Sequence, residues 1–334
     1  MDDFVRVSVC TVETFFSQKC TLRLPWFQRA YAWREGNVLR FVSDIMEAMD
    51  SAKPRYSLGH IHLAGAQGAD EMAVIDGHQR AITLAMLFAI LRDIAATDES
   101  LSPVDRLGIQ NRLERLVRSE NEDATQQSTV PARPRWRLQT QPQLSALFEL
   151  HVQMPGSTRV QPPDNLGNLS QTERNLIANR DKLRSLLSPD AMSFDKRARL
   201  CEFLLTGCHL IIVGVDDEDE AWSMLGIEQS TRLPHDSSEL AKIALIYAMP
   251  AGEQQTAGRM WEAAQAQVGC ERMTELMAHL RTAKLEKRST KPVEADLQQL
   301  YALNRGGLDF MSSVVAPNVE ALRQIDARDR KSVV

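Results

Sequence analysis

"VIDGHQRAITL" spans residues 74–84. It joins two apolar stretches through a turn made of Asp76, Gly77, His78, Gln79 and Arg80. Upstream, "EMAVI" reads as a buried strand; downstream, residues 78–95 read as a very apolar helix. A glycine-bearing turn between a strand and a helix suits an anion, because the first amides of a helix lack internal partners and the dipole end there is positive. Gly77 lets the backbone approach a phosphate closely. A cation in the first turn is unfavourable for the helix itself, so Arg80 points at an anion or pairs with a neighbour such as Asp76. Asp76 either caps the helix or holds a divalent metal that bridges phosphates. The competing reading is a capped helix with a surface arginine, and spacing alone leaves both open.

Around this turn the chain alternates strands and helices. "FVRVSVCTVETFF" alternates and then turns helical, "CTLRLPWFQRAYAW" begins extended, and Val38–Met49 has helical periodicity. "YSLGHIHLAG" is a strand pattern, and "AQGAD" is a turn. Further on, 103–118, 142–152, 171–187 and 194–205 read as helices, "RWRLQT" and "CHLIIVGV" as strands, and 237–249, 257–268 and 271–287 as helices. "NEDATQQSTVPARP" and "MPGSTRVQPPDNLGNLS" read as loops, the second as the best candidate for a mobile connection, and the tail "RDRKSVV" as frayed. The expected division is an α/β nucleotide-binding unit over 1–96, a helical region over 97–248 whose strands near 135–140 and 208–215 complete the core, and a helical region over 249–334.

The 334 residues carry a net charge of −5, so any nucleic-acid contact must come from a local patch. Five scattered cysteines without a CxxC read as reduced thiols of a cytoplasmic protein. "MDDFVRVSVC" puts acids where a signal peptide needs bases, and no apolar run is long enough to span a bilayer. There is no GxxxxGK[ST], so nucleotide chemistry of the Walker type is excluded.

"Asp76-Gly77-His78-Gln79-Arg80-x-x-Thr83-Leu84" resembles the Asp-Gly-Gln-Gln-Arg signature of the GmrSD-type restriction family. "LPWFQRAYAW" is similar to that family's Ile-Pro-x-Tyr-Gln-Arg-x-Tyr-x-Trp box, through Pro25, Phe27, Gln28, Arg29, Tyr31 and Trp33. Asp44-Ile45, then Tyr56-x-Leu58-Gly59-x-Ile61-x-Leu63, resemble its next elements in the right order. "WSMLGIEQSTRLPHDSSELAKIAL" is fainter, departing around Gln229 and Arg232 and ending on Glu239-Leu240-Ala241-Lys242. Inside the signature, His78 replaces the family's first glutamine.

The resemblance implies an α+β fold: a ParB/sulfiredoxin-like small mixed sheet with flanking helices, plus a mostly helical second part. It implies hydrolysis of a nucleoside triphosphate carried with Mg2+, sensing of modified double-stranded DNA, and restriction of phage genomes through an HNH nuclease domain or subunit. Asp76, Gln79 and Arg80 would be catalytic. Gln28, Arg29, Gly77, His78 and Arg80 would bind phosphate, Asp76 would hold the Mg2+, and Gln28 and Gln79 would orient the nucleotide or an attacking water. After residue 249 the only histidine is His279, so the HNH motif is expected in a partner or in further sequence. The alternative is a non-hydrolysing DNA- or nucleotide-binding switch that recruits a nuclease. A homo-oligomer stays open.

Candidate DNA contacts are Tyr31 and Trp33, whose competing role is to anchor their segment, the row Arg133, Arg135 and Arg137 around Trp136, and Lys284, Lys287 and Arg288 in a basic run. His60 and His62 share a strand face; they are either ordinary strand histidines or two ligands of a metal site with His78 or Asp76.

Overall fold

The computed structural model describes residues 5–25, 28, 30–119, 135–162, 169–218, 221, 242, 245–246, 249–285 and 307–332. They belong to two units: Met1–Pro25 with Ala30–Met224, and Trp26–Arg29 with Leu225–Val334. In chain order the first unit holds β1 (Arg6–Thr11), α1 (Val12–Phe16), β2 (Thr21–Arg23), α2 (Glu35–Asp50), β3 (Tyr56–Ala64), β4 (Glu71–Asp76), α3 (His78–Thr97), α4 (Pro103–Val117) and β5 (Arg118–Ser119). It continues with β6 (Arg135–Trp136), β7 (Leu138–Gln139), α5 (Pro142–Phe148), α6 (Gln171–Leu187), α7 (Phe194–Glu202) and β8 (Cys208–Val215).

The fold is α+β: a six-stranded mixed sheet in the order β1-β8-β3-β4-β2-β7, with flanking helices and a helical C-terminal part. β8 alternates, burying Cys208, Leu210 and Ile212, and lies antiparallel to β1 and parallel to β3. β3 and β4 form an antiparallel pair, so the chain leaves β4 and enters α3 directly through Gly77. β2 is parallel to both β4 and β7.

The helix α3 is the centre of this unit. Fourteen of its twenty residues are buried, so it is apolar on every side rather than along one stripe. It packs against α4, α6 and the segment 149–159, and Phe88 meets Phe16 edge-on at 5.0 Å. Two charges interrupt its buried stretch, Ala81–Ala95, and each is spent on a neighbour. Arg92 donates to the carbonyls of Gln153 (2.8 Å) and Met154 (2.7 Å) and to Glu114 (2.8 Å). It thereby takes up carbonyls at the end of the π-helical turn Glu149–Gln153. Asp93 accepts from the Gly156 amide (2.8 Å) and from the Thr158 amide (3.0 Å) and hydroxyl (2.6 Å). An adjacent cation and anion therefore satisfy the two kinds of backbone group that a short helical turn leaves open.

Three expectations are corrected. The stretch "MPGSTRV" is not a loose connection: Ser157–Arg159 is a 3-10 turn with Ser157 and Thr158 buried, because Asp93 and Arg92 hold it. Residues 163–168 of that stretch, the loop over 121–134 and the predicted helix over 237–249 lie wholly or mostly outside the described residues. "RWRLQT" is not one strand. Trp136 pairs with Arg118 in a separate two-stranded sheet, whereas Leu138 pairs with Leu22 in the main sheet. The switch falls at Arg137, whose amide donates to the Val117 carbonyl (2.9 Å) while its carbonyl accepts from Leu22 (2.8 Å). The tail "RDRKSVV" is helical as far as Ser332.

In the second unit, α8 (Ala251–Val268), α9 (Cys270–Leu285) and α10 (Gly307–Phe310) are followed by a π-helical turn, Met311–Val315, that runs into α11 (Ala316–Ser332). Trp261, Met273, Met277, Phe310 and Val315 form their own core. Glu253 accepts from the Leu308 amide at 3.1 Å, capping the second helical stretch, and buried Lys242 pairs with Glu262 at 3.2 Å. Among the described residues no helix is long and apolar enough to cross a membrane.

Asp93→Ala removes one of the two carboxylates paired with the buried guanidinium of Arg92, Glu114 being the other, and strips the 156–158 backbone of its acceptor. The expected loss is about 3–5 kcal/mol of stability, read from the denaturant midpoint of unfolding.

Candidate functional site

The turn after β4 is built around Gly77, which adopts the left-handed conformation at φ +87. A Cβ there would lie 2.9 Å from Ile61 Cγ1 and 3.1 Å from the His60 carbonyl oxygen. Glycine is therefore required twice, by its dihedral and by the closeness of β3. Gly77 is also the N-cap of α3 and brings no capping side chain. The capping role considered for Asp76 is thus not the one it plays.

Arg80 rises from the first turn of α3 and lies across β3. Its Nη1 donates to the Leu58 carbonyl. The β3–β8 pairing is irregular between Ser57 and His60, and Gly59 sits in that irregularity at φ +88. A Cβ on Gly59 would stand 2.6 Å from Arg80 Nη1. So the glycine of "Tyr-x-Leu-Gly-x-Ile" is the space in which this guanidinium lies. Burial presses the Arg80 pKa below the ordinary arginine value, while the Asp76 carboxylate works in the opposite direction. The half-buried cation, the half-buried carboxylate and the positive end of a twenty-residue helix converge on one turn.

Gln79 faces elsewhere. Its Oε1 accepts from the amides of Ala32 (2.9 Å) and Trp33 (3.2 Å), and its Nε2 donates to the Ala30 carbonyl (3.1 Å). Two backbone N–H groups on Oε1 fix which end of the amide is which. Nε2 also lies 2.9 Å from His78 Nε2. The expectation that Gln79 orients an attacking water is corrected: its amide is committed to the segment Ala30–Trp33.

The same segment is held from two further directions. Tyr31 is 1% exposed and its hydroxyl lies 3.0 Å from Thr83 Oγ1. Asn179 of α6 donates to the Tyr31 hydroxyl (3.0 Å) and to the Trp33 carbonyl (2.8 Å). Tyr31 is therefore a core anchor and presents no face to DNA, which corrects that expectation. Trp33 is half-buried and stacks edge-on to Phe41 at 5.4 Å, so it too anchors the segment. Burial raises the Tyr31 phenol to about 12.

The other candidates fall as follows. Gln28 is buried and belongs, with Trp26–Arg29, to the second unit; Phe27 and Arg29 lie outside the described residues. Arg135 donates to Thr21 Oγ1 (3.0 Å) and to the Asp70 carbonyl (3.1 Å). Arg137 donates to the Arg115 carbonyl (3.2 Å) and to the Gln18 carbonyl. These two arginines stitch neighbouring backbone together, and they do not share one strand face. Arg133, Lys287, Arg288 and the Lys284 side chain lie outside the described residues. His60 is exposed and His62 buried, their rings 6.4 Å apart, and no group of three His, Cys, Asp or Glu side chains among the described residues could hold a metal ion. Gly59, Thr83 and Asn179 were not singled out as site residues. The first two stand in or beside the family boxes; Asn179 carries no signal in its surroundings.

Two outcomes test this geometry. Gly77→Ala should cost about 1–3 kcal/mol in thermal or denaturant unfolding, from backbone strain and the clash with β3. Tyr31 is more weakly acidic folded than unfolded, where a phenol titrates near about 10. Its contribution to stability is therefore whole below about pH 10 and lost as pH rises through about 12. Absorbance titration of tyrosinate should show a late-ionising phenol that Tyr31→Phe removes.

The comparisons with known proteins agree with the motifs. The family described as the GmrSD restriction endonuclease N-terminal domain matches residues 12–242, more than half of the chain. That span runs from α1 past β8 and so takes in the whole Asp76–Arg80 turn. No curated protein matches the chain.

Proposed function

Because the chain belongs to the GmrSD restriction endonuclease N-terminal domain family, we propose that it serves a restriction system as a nucleoside-triphosphate-hydrolysing module that senses modified double-stranded DNA. The nuclease step would fall to an HNH domain or partner. The observation that carries the hydrolase reading is Arg80: a guanidinium held half-buried beside a helix N-terminus, in a space that Gly59 leaves for it. The Leu58 carbonyl takes one of its N–H groups, and a triphosphate would be a ligand able to accept from others. Backbone amides at the start of α3 would face the same phosphates, as the glycine-bearing turns of ParB-like proteins do.

The donor set fits a Mg2+ that arrives with its nucleotide. Such an ion needs only one or two carboxylates beside phosphate oxygens and water, and Asp76 is one half-exposed carboxylate at the turn. When bound, the ion would neutralise charge developing between the outer phosphates. Gly77 lets the chain close on the phosphates, Arg80 stabilises the charge of the transferring group, and the His78 ring is oriented by Gln79. By resemblance, Gln28 and Arg29 are further candidates for phosphate binding.

The test is phosphate release from ATP, GTP, CTP and UTP, with and without modified DNA. Arg80→Ala should lower kcat/KM by roughly 10²-fold or more. Gly59→Ala should act in the same direction, because its Cβ takes the space of the guanidinium. If wild type and Arg80→Ala are equally inactive, the hydrolase reading fails. Nucleotide binding without product would favour a non-hydrolysing switch.

A further inference from the structure

We propose that a pocket between α4 and α7, over the C-terminal half of α3, is a second ligand site that takes an uncharged apolar molecule of about single-ring size. Every residue of its lining belongs to the first unit. The pocket is separate from the Asp76–Arg80 turn, because the rise from Arg80 to Ile94 along α3 is about 20 Å. It therefore stands independently of any nucleotide chemistry at that turn.

Leu91 and Ile94 of α3, Ile109 and Leu113 of α4, and Phe194 and Ala198 of α7 supply the apolar lining. Ile94, Ile109, Phe194 and Ala198 are only half-buried, so they leave apolar surface for a ligand to cover. The space measures about 180 Å³. An apolar cavity of about 150 Å³ holds benzene, so this one admits a single ring. Apolar walls with a few polar groups beside them are the usual make-up of a small-molecule site.

The charged residues of the lining are Asp98, Arg112, Arg197 and Glu202, and they cancel in pairs. Near the start of α7, Arg197 is 6% exposed and donates to Asp98, the C-cap of α3. At the end of α7, Glu202 accepts from Arg112 of α4 (2.6 Å), which also donates to Glu13 of α1 (2.6 and 2.8 Å). Each of the four thus has an opposite partner. An ionised ligand would lose its hydration with no open counter-charge in return. An uncharged molecule avoids that cost and gains by burying apolar surface. Cys201 also lines the pocket, but burial raises its thiol to about 11. It is therefore no nucleophile at neutral pH, and the ligand is held without a covalent bond.

The experiment uses the full chain, with benzene as the probe and benzoate as its ionised counterpart. Benzene should shift the methyl resonances of Ile94 and Ile109 saturably. At about ten times its Kd it should raise the thermal midpoint by about 3 °C. Benzoate at the same concentrations should do neither. Ala198→Phe puts a ring of its own into the pocket and should weaken benzene binding roughly tenfold or more, because the space is taken. Should Ala198→Phe not fold, Ala198→Leu, a smaller filler, carries the same comparison. The assignment is overturned if benzene gives no saturable shift up to its solubility, or if the Ala198 variant binds it as well as wild type. Equal binding of benzoate overturns it too, because the ligand class is then wrong. These measurements read binding without turnover, so their outcome is distinct from that of the phosphate-release assay.

Discussion

A helix buried on every side can keep a polar side chain only if that side chain is bonded to something, because an unmatched polar group far from water costs more than most single contacts return. The helix α3 is such a helix, and this constraint organises the first unit. Gln79 and Thr83 tie it to Ala30–Trp33, Arg80 ties it to β3, and Arg92 and Asp93 tie it to the turn around residues 152–158. Three segments of surrounding chain are thereby registered against one rod. The end of the rod that faces the turn is also the end whose dipole favours an anion. Rigidity and ligand chemistry thus come from the same residues.

The motif Asp76–Arg80 divides its work accordingly. Gly77 and Gly59 are concessions of space, one to β3 and one to Arg80. Gln79 looks inward and Arg80 looks across the sheet, although they are neighbours in sequence, because successive residues on a helix point about a quarter-turn apart. A signature that reads as five functional residues is therefore part scaffold and part ligand site. The two parts are close enough that damage to either would silence the other.

Much of this was legible in the sequence, and the omissions have physical causes. Strand, turn and helix around Asp76 follow from periodicity, since β4 and α3 are set by local burial patterns. The helical second part follows in the same way, with β8 announced by its apolar run, whereas the mixed sheet was what the family resemblance implied. The direction of Gln79 was not legible. A side chain's partner is decided by what lies opposite in space, and Ala30–Trp33 is distant along the chain. Tyr31 alternates with polar residues just as a surface aromatic might, and only Thr83 and Asn179 show that it points inward. "RWRLQT" looks like one strand because strand propensity is local, whereas the partners Arg118 and Leu22 belong to different sheets. The stretch at 154–160 has a loop's composition and is nonetheless fixed, because the carboxylate that fixes it lies in another element.

The glycine at position 59 carries a consequence for how such chains diverge. Its missing side chain and the guanidinium of Arg80 occupy one volume, so the two positions are not independent letters of the sequence. A relative that gave up the arginine would lose the steric demand at the glycine, though the left-handed backbone would still favour a small residue there. A relative that gained a side chain at the glycine could not keep the arginine where it lies. The pair should therefore be inherited or lost together, and its joint presence marks the members that retain this cation beside the turn.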